Sequence, residues 1–158
     1  MKVEFVNPFI EAAFRVLETE VQAKIQRGAL TLQSKIYTSQ DVTTLVAVTG
    51  KIRGLVLYSM SEKTALALVE VMLGQHFPMF DDLAQSGIAE LGNVVTGAAS
   101  TILAEAGYAS NIAPPAMIIG RGTMISTLEI QRLVVPLETQ YGTIEVHVAL
   151  RETRPTES

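Results

Sequence analysis

A chain of 158 residues, 48% hydrophobic and only 18% charged, is long enough to bury a sizeable core and predicts a single domain over residues 1–152. Its net charge of −4 argues against nucleic acid as the main partner, because no basic stripe is present to neutralise phosphates. The lack of cysteine excludes disulfides, thiolate metal sites and a cysteine nucleophile, and no uninterrupted apolar run approaches the roughly 18 residues of a membrane span. The opening MKVEFVNPFIEAAF carries Glu4 and Glu11 where a signal peptide needs a continuous apolar stretch, so a cytoplasmic location is expected.

Asn7-Pro8 predicts a helix start, with Asn7 as cap and Pro8 at the first helical position. Phe9, Ala13, Val16, Leu17, Val21 and Ile25 follow at helical spacing, and Gly28 is the expected stop. From Leu30 the period changes. LTLQSKIYTS, VTTLVAVTG and RGLVLYSM are rich in β-branched residues and Leu and are separated by turn residues, which predicts three antiparallel strands. Ser61 is placed to cap a second helix that Gly74 closes, and a long helix is expected from Asp81 to Ala106, ending at Gly107.

Three more strands are predicted in NIAPPAMIIG, LEIQRLVVPLE and GTIEVHVAL. In the last, Ile144, Val146, Val148 and Leu150 alternate with Glu145, His147 and Ala149, the pattern of a sheet with one buried face. Residues 153–158 read as a frayed polar tail. The expected fold class is α+β: two layers, a largely antiparallel sheet packed with helices, and a pseudo-repeat of two helix-β-β-β units.

Most self-contained chemistries lack their residues. His76 and His147 have no metal-ligand spacing and read as ordinary surface or satisfied histidines. No phosphate-binding loop or serine elbow occurs, the GRG at 120–122 reads as a strand-end turn, and neither Ser86 nor Ser100 has a nearby histidine as base.

The long helix holds the one pattern with chemistry in it. At 100° per residue, Ser86, Glu90, Asn93, Gly97, Thr101 and Ala104 share one stripe, while Ile88, Leu91, Val95, Ala98 or Ala99, and Ile102 form the buried one. An E-x-x-N pair is short and common, so a plain solvated face is the bland reading of this stripe. The functional reading is that Asn93 offers a donor and an acceptor to orient a water without titrating, while Glu90 docks a partner's cation. With no nucleophile, base or metal, the pair suits a substrate already activated on another protein, such as an aspartyl phosphate that brings its own metal.

Ser86, Glu90, Asn93 and Pro115, with Pro114 beside it, resemble the signature of the CheX-like members of the CheC/CheX/FliY chemotaxis phosphatase family. MKVEFVNPFIEAAFRV, TGKIRGLVLYSM and ELGNVVTGAAS are also similar to that family, so the likeness spans nearly the whole chain. The resemblance implies hydrolysis of the aspartyl phosphate of a phosphorylated CheY-like response regulator. Glu90 would dock the regulator's lysine, Asn93 would orient the attacking water, and Ser86, Gly97 and Pro115 would belong to the partner-binding surface. It further implies that Mg²⁺ is carried by the regulator rather than by this chain, and that the protein is a homodimer. The first helix has Glu11 and Glu18 with no Asn three residues after either, which implies one centre per chain. A non-catalytic scaffold or motility-switch module that grips a receiver domain through the same face is the alternative.

Overall fold

The computed structural model describes residues 2–127 and 130–157. In chain order the elements are α1 (Val3–Val21), β1 (Gln26–Arg27), β2 (Thr31–Gln33), β3 (Ile36–Thr38), β4 (Val42–Gly50), β5 (Ile52–Met60), α2 (Glu62–Leu73), α3 (Asp82–Glu105), β6 (Ser110–Ile112), β7 (Ala116–Ile119), β8 (Met124–Ser126), β9 (Arg132–Thr139) and β10 (Gly142–Glu152). The predicted 128–138 strand begins outside the described residues, and its visible part is β9.

The expected two layers are present. One sheet runs β1/β2–β9–β10–β5–β4–β6/β7, with every pairing antiparallel. This order is a palindrome of the two predicted units. Each unit contributes a hairpin, β4–β5 or β9–β10, and the two hairpins meet at the β5·β10 pairing. The first strands of each unit cross to the other unit's hairpin, β1 and β2 onto β9, β6 and β7 onto β4. The helices α1 and α3 pack on each other over one face. Phe5, Phe9 and Leu17 of α1 and Ile88, Val95 and Leu103 of α3 are buried there over Val46, Val56 and Val146 of the sheet.

Several local signals act as expected. The Ser61 hydroxyl accepts from the Thr64 N–H and Gly74 closes α2 in the left-handed region at φ 66°. Asp81, read from the sequence as the first residue of the long helix, stands just before α3 and caps it by accepting from Ala84 N–H.

Five expectations need correction. Helix α1 starts at Val3, not Pro8, and contains Pro8. Burial of Phe5 and Val6 favours the extra turn over the hydrogen bond that proline cannot make. It ends at Val21, where Gln22 takes the left-handed conformation and its N–H bonds the Leu17 carbonyl. Gly28 instead lies against β9: a Cβ there would sit 2.5 Å from Pro136 Cγ.

LTLQSKIYTS is two strands, because the chain leaves the main sheet after β2. The buried Arg132 guanidinium donates to the carbonyls of Ser34 and Ile36 and holds that departure. The freed β3 pairs with β8 as a separate ribbon, and Pro114-Pro115 likewise splits NIAPPAMIIG into β6 and β7. This ribbon covers the back of the sheet, so β10 is buried on both faces and His147 is only 2% exposed. Lastly, the tail is tied down: Thr153 N–H bonds the Lys51 carbonyl, and Glu157 pairs with Arg53 and Arg151.

Candidate functional site

Helix α3 faces inward with Ile88, Leu91, Val95, Ala99 and Leu103, while Ala98 and Ile102 are only half-buried. By length and composition α3 is also the one helix among the described residues that fits a bilayer. Its apolar stripe is spent on α1 and the sheet. Its opposite face leaves Ser86 and Glu90 exposed and Asn93 and Gly97 half-buried. Among the described residues the side chains of Ser86, Glu90 and Asn93 form no hydrogen bond or ion pair. An acid and an amide one turn apart are thus both presented to an incoming group.

The helix lies close to the sheet directly beneath this face, for a reason the sequence alone did not disclose. Gly92 is buried, and a Cβ there would sit 2.9 Å from Thr44 Cγ2 and 3.3 Å from the Tyr58 ring. The buried Tyr58 hydroxyl lies 2.7 Å from Thr96 Oγ1, and Thr96 in turn donates to the Gly92 carbonyl at 2.7 Å. A hydrogen-bonded post from β5 therefore fixes the turn of α3 that carries Asn93. Burial raises the Tyr58 pKa, with Thr96 partly opposing it, so the phenol stays protonated. The only local sign of this support is that a second glycine adjoins Asn93.

Gly97 is different. The nearest atom to a Cβ built there is Ile112 Cδ1 of β6, at 4.0 Å. Its missing side chain serves no packing contact and leaves the outer face flat. Pro115, half-buried, lies in the short loop joining β6 to β7 along the edge of β4, with Ala113 N–H bonded to the Ala47 carbonyl and Ala116 in register with Leu45. Four of the five sequence-selected residues therefore share one helix face, and the fifth lies on the adjoining sheet edge.

Other chemistries find no support in the geometry. His76 is in the loop after α2, 2.6 Å from Glu70, and His147 is buried behind the sheet. Among the described residues no three His, Asp or Glu side chains converge to hold a metal. Ser86 has no hydrogen-bonded base among the described residues. What the site offers is an exposed carboxylate, a half-buried amide without an internal partner among the described residues, and a flat, small-residue surface on one helix.

Residues 42–138 match the family described as chemotaxis phosphatase CheX. The CheY-P phosphatase CheX of Thermotoga maritima is 30% identical over 128 residues, covering 80% of this chain and 83% of that protein. A CheC-like superfamily protein from Shewanella sp. PV-4 superposes with a TM-score of 0.85 at 27% identity, covering 96% of this chain and 99% of its own. A chain of the CheX–CheY–BeF3–Mg²⁺ complex from Borrelia burgdorferi gives a TM-score of 0.80 at 30% identity, covering 96% of this chain and all of that one.

Proposed function

Because this chain belongs to the chemotaxis phosphatase CheX family, we propose that it hydrolyses the aspartyl phosphate of a CheY-like response regulator through Glu90 and Asn93. The observation that carries this reading is the outward, unpartnered presentation of that acid and amide on α3. The relative crystallised with CheY, beryllium fluoride and Mg²⁺ supports a receiver domain as partner. In this reading the metal arrives with the regulator and neutralises the phosphoryl oxygens.

Glu90 accepts from a lysine of the regulator, a charge-assisted contact that sets the two surfaces in register. The Asn93 amide holds a water in line with the phosphorus, opposite the aspartyl oxygen. Attack forms the water–phosphorus bond and breaks the aspartyl–phosphorus bond, and the electron pair stays on the regulator's carboxylate. Both protons of the water leave with the phosphate product. Asn93 neither gains nor loses a proton, so its contribution is position alone. Ser86, Gly97 and Pro115 supply the close surface around the pair. A homodimer and a cytoplasmic location belong to the same reading. Exposure of Leu32, Ile36, Ile119 and Met124 supports the dimer.

The test is the decay of the phosphorylated regulator with and without this protein. Asn93→Ala should slow the accelerated decay by about 10²-fold, the scale of losing one placed polar group at a reacting centre. Glu90→Ala should raise KM by about tenfold, the worth of one charge-assisted contact, and leave kcat nearly intact. Full acceleration by Asn93→Ala would overturn the mechanism. Tight binding of the phosphorylated regulator without faster phosphate release would favour the scaffold reading.

A further inference from the structure

On the sheet face turned away from α3, the β3–β8 ribbon leaves an open groove of about 940 Å³ uncovered. Ala47 and Leu55 form its floor, and Lys35, Arg53, Arg151 and Arg154 line it. Four of the chain's 12 cationic side chains gather here, in a protein whose net charge is −4.

The register makes this concentration unusual. Arg53 on β5 and Arg151 on β10 are directly opposite each other. Like charges placed so are destabilising unless an anion lies between them. A carboxylate lies there: Glu157 accepts from Arg53 Nη1 at 3.1 Å and from Arg151 Nη1 at 3.0 Å, and its second oxygen is 2.8 Å from Arg151 Nη2. The paired oxygens on Arg151 are the forked geometry by which arginine recognises carboxylates. The Arg151 bond, assisted by Arg53, holds the Glu157 carboxyl down to about 2, so it is ionised throughout the neutral range.

We propose that this groove docks an extended acidic segment of a partner protein, one carboxylate of which replaces Glu157 between Arg53 and Arg151. The seated group defines the chemistry, since it is itself a carboxylate on a peptide. An extended segment presents every second side chain to one face, so it can set acids on the arginines and an apolar side chain on Ala47 and Leu55. The space far exceeds one small anion. A nucleic acid would bring many phosphates against a protein of net negative charge. The groove is on the opposite face from Glu90 and Asn93, so its occupation is separate from the proposed phosphatase site.

The experiment is fluorescence anisotropy of a labelled Glu-Leu-Glu-Leu-Glu peptide with the full chain at low salt. E157Q removes the internal competitor's charge and should bind the peptide about threefold tighter than the parent, the scale of a partly exposed ion pair. R53Q should lose binding, and added salt should weaken it in the parent. Unchanged affinity in E157Q overturns the proposal, as does parental affinity in a folded R53Q. Equal binding of a Lys-Leu-Lys-Leu-Lys peptide or of polyuridylate, or displacement by inorganic phosphate as readily as by unlabelled peptide, also overturns it. If circular dichroism shows R53Q unfolded, the E157Q comparison decides alone.

Discussion

Gly92 and Gly97 lie on the same helix, one facing the sheet and one facing out, and they are expected to respond oppositely to a methyl group. At Gly92 a Cβ meets Thr44 Cγ2 at 2.9 Å inside a packed layer. Overpacking of this kind costs about 1–3 kcal/mol, which outweighs the gain of up to about 1 kcal/mol in helix propensity. At Gly97 the nearest atom is 4.0 Å away, so only the propensity gain applies. Denaturant unfolding should therefore show Gly92→Ala less stable than the parent and Gly97→Ala more stable, by up to about 1 kcal/mol. In the regulator-dephosphorylation assay Gly97→Ala should nonetheless raise KM, because its methyl stands on the proposed docking face. A more stable Gly97→Ala with unchanged KM would remove Gly97 from that face. The outward residue was legible in the sequence because helix rotation is local. The role of Gly92 was hidden because Thr44 and Tyr58 come from distant strands.

Strand β10 shows where periodicity stops informing. Its alternation marked Ile144, Val146, Val148 and Leu150 as the core side, and they are buried. It also marked His147 as outward, yet the β3–β8 ribbon buries it. Arg132 Nη1 lies 2.5 Å from His147 Nδ1 and, as an obligate donor, makes that nitrogen the acceptor. The proton is thereby assigned to Nε2, which donates to Glu145 at 3.2 Å, while Gln40 donates to the same carboxylate. Tyr37 packs against the imidazole with ring centroids 4.5 Å apart and ring planes tilted by 58°.

Burial lowers the His147 pKa from its ordinary 6.5; the Glu145 bond opposes this, and the Arg132 charge lowers it further. Below 6.5 the unfolded chain then binds a proton that the folded chain refuses. Stability is therefore present at neutral pH and is lost as pH falls below 6.5, by up to about 1.4 kcal/mol per pH unit from this one group. Glu145, whose pKa is itself lowered chiefly by the His147 bond, adds acid sensitivity only below its ordinary 4.5. Denaturant unfolding at pH 7 and pH 5.5, with imidazole NMR, checks both parts. A His147 resonance that titrates at or above 6.5 would contradict the assignment.

At the scale of the whole molecule, the two helix-β-β-β units close on each other rather than folding side by side. Each sends its first strands to the other's hairpin, which makes the sheet order palindromic and places α1 and α3 as counterparts. Glu-x-x-Asn occurs in the middle of α3 as Glu90–Asn93, and in α1 it recurs as Glu4–Asn7 at the start of the helix, ahead of Pro8, where Lys2 lies 3.6 Å from Glu4. In α1, Glu11 is engaged by Arg15 at 3.0 Å and no amide follows it at the matching position. One proposed centre per chain makes the association state consequential, since a homodimer would carry two. Light scattering after size exclusion should give the mass of two chains, and a single-chain mass across micromolar concentrations would remove the dimer.

The sequence by itself determined the α+β class, the caps of α2, the extent of α3, and the outward stripe of Ser86, Glu90, Asn93 and Gly97. Each of these depends on residues within a few positions of one another, where hydrogen bonding and helical rotation act directly. Tertiary structure alone decided the crossing of first strands, the ribbon that buries His147, the post from Tyr58 to Gly92, and the seating of Glu157 between Arg53 and Arg151. Those contacts join distant segments, Arg53 and Glu157 being 104 positions apart. Their partners are chosen by what packing and charge can offset once the chain has closed, which no local pattern records.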